Sequence, residues 1–102
     1  MLKNIYISQI SNFFTDKPVK RSYLFGSFVR NEESAKSDID ILVEIDYRKQ
    51  KVSLLDFIGW KLELEKITKR NIDLVASDGI SKYIKPIIDK EKVLIYEKSA
   101  KR

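Results

Sequence analysis

From Ile39 to Ile45 the chain alternates, with apolar Ile39, Ile41, Val43 and Ile45 separated by Asp40, Leu42 and Glu44. A period of two marks a β-strand with one strongly apolar face. Such a strand needs neighbours to pair with and a helical layer to cover it, so this segment restricts the chain to layered, sheet-containing folds.

The flanking segments supply those pieces. Leu2 to Phe14 reads as a helix, because Leu2, Tyr6, Ile10 and Phe13 recur at helical spacing and Asp16-Lys17-Pro18 stops it. Lys20 to Phe25 reads as a strand ending at Gly26. Ser27 is placed to cap a short helix running to about Glu33, and the polar run Asn31 to Lys36 makes the turn into the alternating strand. A long helix is expected from Ser53 to Thr68, and it carries two apolar stripes. Leu55, Ile58 and Leu62 form the first, which can pack on the sheet. Phe57, Trp60, Leu64 and Ile67 form the second, which must meet either another helix or a separate protein. Asn71 to Ser77 reads as a third strand. Ile80, Tyr83, Ile84, Ile87 and Ile88 fit an amphipathic helix that Pro86 should kink or shorten in its first part. Val93 to Tyr96 is a last short strand, and 98–102 reads as a frayed tail. With 102 residues, 43% of them apolar, one domain over 1–102 has enough material for a core and two do not. The expected class is α/β (α+β), a mixed sheet of about four strands flanked by helices.

Composition narrows the chemistry. The chain has no cysteine and no histidine, which excludes disulfides, thiolate zinc sites, Ser-His-Asp triads and His-ligated metals. Carboxylates, hydroxyls, Lys and Arg remain. No run approaches the roughly 18 apolar residues of a bilayer span, and the first 15 residues carry Asn4 and Ser8 with no cleavage pattern after them, so the expectation is a soluble cytoplasmic protein with no membrane partner. The net charge of +5 is scattered, with only Lys17, Lys20 and Arg21 close together, and does not establish direct nucleic-acid binding. Against that basic background, the stretch from Glu32 to Asp46 holds six acidic residues and one lysine. It is either an exposed acidic loop or a place where cations hold carboxylates together.

A motif that ends within that stretch favours the second. Gly26-Ser27 is followed by ten residues and then Asp38-Ile39-Asp40. An Asp-x-Asp triplet alone is expected by chance about 0.6 times in this composition, but the full pattern only on the order of 0.001 times. Strand residues two apart point to the same side about 6.6 Å apart, so Asp38 and Asp40 present paired carboxylates. Hard oxygen donors suit Mg²⁺ and leave positions for water and nucleotide phosphates. Asp73, flanked by Ile72 and Leu74 on the next expected strand, would complete the site as ligand or base. Asp40 and Asp73 would each be costly to bury in a strand without a cation or hydrogen-bond partners. Gly26 lets the backbone approach phosphates, Ser27 adds N–H groups and a hydroxyl, and Arg30 adds positive charge. Each of these also has an ordinary reading: a turn glycine, a cap, a surface arginine paired with Glu32 or Glu33. Ser37 is either a further polar contact for the nucleotide or the cap of a turn before the strand.

Gly-Ser-Phe-Val-Arg followed by Ser-Asp-Ile-Asp-Ile-Leu-Val resembles the signature of the polymerase β-like nucleotidyltransferases, and over nearly its whole length the chain looks like the minimal nucleotidyltransferases, or MNT proteins. The resemblance implies that Gly26 and Ser27 engage nucleotide phosphates, that Asp38 and Asp40 bind Mg²⁺, and that Asp73 is the third carboxylate. It also implies an antitoxin role: transfer of AMP from ATP to a tyrosine of a helical HEPN ribonuclease toxin. Val29 and Asn31 depart from the family pattern, which usually has a small residue before the Arg and a Gly after it, although Asn tolerates left-handed backbone. Two rivals remain: an antitoxin that neutralises by binding alone, through Phe57 and Trp60, and transfer to a small-molecule acceptor.

Overall fold

The computed structural model describes residues 2–34 and 36–98. Along the chain run α1 (Leu2–Phe14), β1 (Val19–Phe25), α2 (Ser27–Arg30), β2 (Ile39–Ile45), α3 (Leu54–Thr68), β3 (Ile72–Ala76), a 3-10 turn at Ser77–Gly79, α4 (Lys85–Glu91) and β4 (Val93–Glu97). The strands form one mixed sheet in the order β3-β2-β1-β4. β1 is antiparallel to both β2 and β4, whereas β2 and β3 are parallel. The alternating segment that anchors the sequence reading is thus an interior strand of an α+β sheet.

Its apolar residues face the helices. Ile39, Ile41 and Val43 of β2 are fully buried together with Ile72 and Leu74 of β3, Leu24 of β1, Ile10 and Phe14 of α1, and Trp60 and Leu64 of α3. Phe14 meets Trp60 edge to face with ring centroids 6.3 Å apart, a favoured aromatic geometry. Leu42 and Ile88 are also buried but belong to the other side of the sheet, outside that cluster.

Three local expectations are corrected. The first stripe of α3 does not pack on the sheet: Leu55 is 81% exposed and Leu54, Ile58 and Leu62 lie on the surface with it, while the second stripe meets α1, one of its two expected partners, with Trp60 and Leu64 in the core, Phe57 partly buried beside them and Ile67 left exposed. The Ser53 and Asp56 capping box fixes where α3 starts but not its rotation. Rotation follows area, because turning Trp60 and Phe57 inward removes more apolar surface from water than turning Leu55 and Ile58 inward.

The amphipathic helix expected from Ile80 is shortened in its first part, one of the two effects expected of Pro86: it begins only at Lys85, with Pro86 in its first turn, where a missing N–H costs nothing and the fixed φ suits a helix. Of its five apolar markers only Ile88 is buried; Tyr83, Ile84 and Ile87 are exposed. The third correction concerns α2, which is capped at Gly26 rather than at Ser27 and makes no side-chain cap hydrogen bond. It ends at Arg30 because Asn31 takes the left-handed conformation at φ 61°.

The short basic knot near Lys17 is drawn into ion pairs, Lys17 with Asp16 and Arg21 with both Glu44 and Glu97. Among the described residues no helix is long and apolar enough to cross a membrane. Of the expected frayed tail, Lys98 still hydrogen-bonds to Lys20, and 99–102 lie outside the described residues.

Candidate active site

The sheet register brings two carboxylates side by side. In the parallel pairing of β2 and β3, Asp40 is the partner of Asp73, and neighbouring strands lie only about 4.8 Å apart. Both point away from the helix-covered face, since Ile39, Ile41, Ile72 and Leu74 take that face. Asp38 immediately precedes β2, exposed, and its charge is felt at Asp40. Partial burial pushes the Asp40 carboxyl up to about 6; the charges of Asp73 and Asp38 and a hydrogen bond with Asp73 push the same way, and Arg30 opposes them. The cost of burying a strand aspartate, noted for both, falls on one of them. Asp40 is half-buried, whereas Asp73 is exposed, because β3 is an edge strand.

Gly26 closes the site from the side of β1. Phe25 pairs with Asp40 across the sheet, so the chain leaving β1 turns directly over that carboxylate. Gly26 makes the turn at φ 78° and ψ −151°, a region open in practice to glycine alone. A Cβ there would fall onto Asp40 Oδ2 and within 2.9 Å of its Cγ. Glycine is therefore required twice, once by the backbone angle and once by the carboxylate it touches. Ser27 follows, half-buried, as the first residue of α2.

The remaining expected site residues are tied into the protein's own bonds. Arg30 donates through Nε to Glu32 at 2.9 Å and through Nη1 to Glu91 at 2.8 Å. Ser37 spends its hydroxyl accepting the Ser34 N–H at 2.8 Å, so it behaves as the loop cap of the plainer reading.

Two further residues brace the site, and sequence reasoning did not find them. Arg70 donates to the carbonyls of Ser34 and Ser37, and its guanidinium lies over the rings of Phe28 and Tyr6 at 5.1 and 5.5 Å. It thereby fixes the loop that delivers Asp38. Glu91 accepts the Gly26 N–H at 2.8 Å as well as the Arg30 bond. Arg70 carries no local signal, because its partners lie more than thirty residues away. Glu91 carries only a weak one: an acid at the last position of a helix sits against the dipole, a cost of about 0.3–1 kcal/mol that many surface acids bear.

The donor set is entirely oxygen, which suits a hard ion such as Mg²⁺. Among the described residues no three acidic side chains stand close enough to cage an ion as they are. The fit is chemical: Asp40 is crowded by two like charges that a divalent cation would offset. A groove of about 540 Å³ between α1 and α3, lined by Phe13, Leu55 and Trp60 among others, is remote from these carboxylates.

The family model described as polymerase beta, nucleotidyltransferase matches residues 8–101. The chain belongs to that family. It is a nucleotidyltransferase, of the minimal MNT kind that the Gly-Ser and Asp-x-Asp motifs suggest. Its relatives include a protein of Methanocaldococcus jannaschii named "putative protein adenylyltransferase", 43% identical over 75 residues, which are 74% of this chain and 77% of that protein. Among solved structures, a toxin-antitoxin complex with AMP-PNP superposes with a TM-score of 0.78 at 19% identity, covering 91% of this chain and 74% of the other. A tri-AMPylated HEPN toxin of Shewanella oneidensis in complex with its MNT antitoxin gives 0.71 at 16% identity, covering 93% and 72%. At those identities the nucleotidyltransferase and the two complexes share a fold.

Proposed function

We propose that this nucleotidyltransferase is the antitoxin of a toxin-antitoxin pair and transfers AMP from ATP to a tyrosine of a HEPN-type toxin in the cytoplasm. The observation that carries the reading is the register pair Asp40 and Asp73 with Gly26 pressed onto Asp40. That arrangement stands beside a relative named for protein adenylylation and a neighbour of the same fold seen with an AMPylated toxin.

In this reading Asp38, Asp40 and Asp73 hold Mg²⁺, with Asp73 as ligand or base. The ion would supply charge neutralisation of the triphosphate. The Gly26–Ser27 turn receives the phosphates, Gly26 by letting the backbone come close and Ser27 by its hydroxyl, and Arg30 adds positive charge beside them. The tyrosine oxygen forms a bond to the α-phosphorus as the bond to the β-phosphate oxygen breaks, and pyrophosphate leaves. Where Asp73 serves as base, it takes the phenolic proton.

The test is to incubate the protein with ATP, Mg²⁺ and the HEPN protein encoded beside it, and to read the toxin by intact mass and peptide mapping. One or more AMP additions on tyrosine are expected. An unmodified toxin alongside a folded, toxin-bound nucleotidyltransferase would refute transfer.

A second reading, neutralisation by binding alone, is favoured by one feature, the exposed stripe Leu54, Leu55, Ile58 and Leu62 on α3. Of the two aromatic residues expected as anchors, Trp60 is 8% exposed and Phe57 is partly buried against the core, so the stripe offers more apolar surface than they do. Under that reading Asp40→Asn still neutralises the toxin.

A further inference from the structure

Glu91 lies outside every motif, yet its carboxylate is bonded at both oxygens. Oε2 accepts the Gly26 N–H and Oε1 accepts Arg30 Nη1, each at 2.8 Å, and the side chain is only 20% exposed. Those two donors, the Gly26 N–H first, hold the Glu91 carboxyl below its ordinary range, so it is the charged form that clamps.

The sheet explains the position. β1 and β4 pair Tyr23 with Leu94 and Leu24 with Val93. Continued by two residues, that register sets Gly26 opposite Glu91. The backbone of Glu91 is helical and cannot extend the ladder there, so its side chain takes the place of the missing strand partner.

Gly26 is consequently held from two sides. On the β2 side Asp40 presses against its Cα, and on the β4 side Glu91 holds its N–H. Arg30, one helical turn further, is steered by the same Glu91 carboxylate and bears electrostatically on Asp40.

We propose that Glu91 is a positioning residue for the nucleotide, setting the Gly26–Ser27 turn by its N–H and aiming Arg30 from the side opposite Asp40. The inference rests on the reading of that turn as the phosphate site. Glu91 itself touches no reacting atom; it acts through Gly26 and Arg30.

Glu91→Gln is nearly isosteric and leaves one acceptor oxygen for two donors. In the nucleotide-free protein, hydrogen exchange at the Gly26 amide should accelerate about tenfold or more, with Leu24 and Ile41 unchanged, as expected for loss of one charge-assisted bond. With ATP, KM should rise about tenfold while kcat moves less than about threefold, the signature of lost uniform binding. Arg30→Gln should cost less in the Glu91→Gln background than in the wild type, because the two residues act as one unit. A purely structural role would lower the melting temperature and leave KM and this coupling unmoved.

A folded Glu91→Gln protein with wild-type KM, or an Arg30→Gln effect that is fully additive, overturns the proposal. Should Glu91→Gln fail to fold, Arg30→Lys tests the clamp from its other arm: it keeps the charge and loses the planar fork, and an unchanged KM would again overturn it. A wild-type protein that takes up no ATP defeats the phosphate-site reading instead, and the Gly26 exchange measurement, made without nucleotide, tells the two failures apart.

Discussion

The two faces of the sheet are built from the same strands and differ in the charge they admit, although Leu42 is buried on the second as well. On the helix-covered face Ile39, Ile41, Val43, Ile72 and Leu74 are at most 8% exposed and bear no charge. One residue away along the same strands, the other face carries Asp40, Glu44 and Asp73, with Arg21 and Tyr23 bonded to Glu44. A strand period of two lets adjacent residues serve separate ends, one storing stability and the next holding like charges together against it. Substitutions one position apart should therefore report on different quantities.

Asp40→Asn gives the largest contrast. Removing the half-buried charge should lower kcat on the order of 10³-fold by abolishing the carboxylate pair. The same change should raise the stability of the metal-free protein at pH 7, because the charge it removes is one that Asp73 and Asp38 repel. Steady-state AMP transfer and urea melts on one preparation check both halves. Destabilisation on removing the charge would contradict the crowding that motivates the site.

Ile41→Ala, one residue on and facing the core, should do the reverse. It empties a fully buried position and should cost about 3 kcal/mol of stability by denaturant melt, with kcat per folded molecule nearly unchanged. A large fall in kcat would mean that the two faces are not separable.

The pH dependence sharpens the comparison further. Asp40 has its carboxyl raised from the ordinary 3.8 to about 6 in the folded state. The folded protein thus binds that proton more tightly than the unfolded chain. Its contribution to stability is full below about pH 4 and is lost as pH rises through about 6, on the order of 2 kcal/mol once partial exposure is discounted. Metal-free melts between pH 4 and 7 should show this slope, and Asp40→Asn should flatten it. Added Mg²⁺ should also flatten it if the ion displaces that proton.

Legibility in the sequence followed the range of the interactions. The alternating strand and the Gly26-Ser27 to Asp38-Ile39-Asp40 spacing are local patterns, so the four strands and the approach of Gly26 to Asp40 lay within reach of the sequence. The rotation of α3 could not, since both stripes are apolar and only the meeting of Phe14 with Trp60 selects one. Pro86 was a local signal as well, and of its two expected effects, a kink or a shortened first part, the second is the one found. Glu91 and Arg70 were hidden for another reason: a surface-type charge reveals its purpose only when the fold brings it to a backbone group 65 or 36 residues away.

The outward turn of the Leu55 stripe leads to the smallest effect and the finest test. Leu55 is 81% exposed and Trp60 8%, five residues apart on one helix. Leu55→Ser should leave the melting temperature of the isolated protein almost unchanged, within about 0.5 kcal/mol. If the stripe it shares with Leu54, Ile58 and Leu62 meets the toxin, affinity should fall about tenfold by calorimetry, as for loss of one apolar anchor. Trp60→Ala should instead lose stability, and affinity only through the unfolded fraction. Equal affinities for Leu55→Ser and wild type would free α3 from any docking role and leave the catalytic face, with its Asp40 and Asp73 pair, to account for neutralisation by itself.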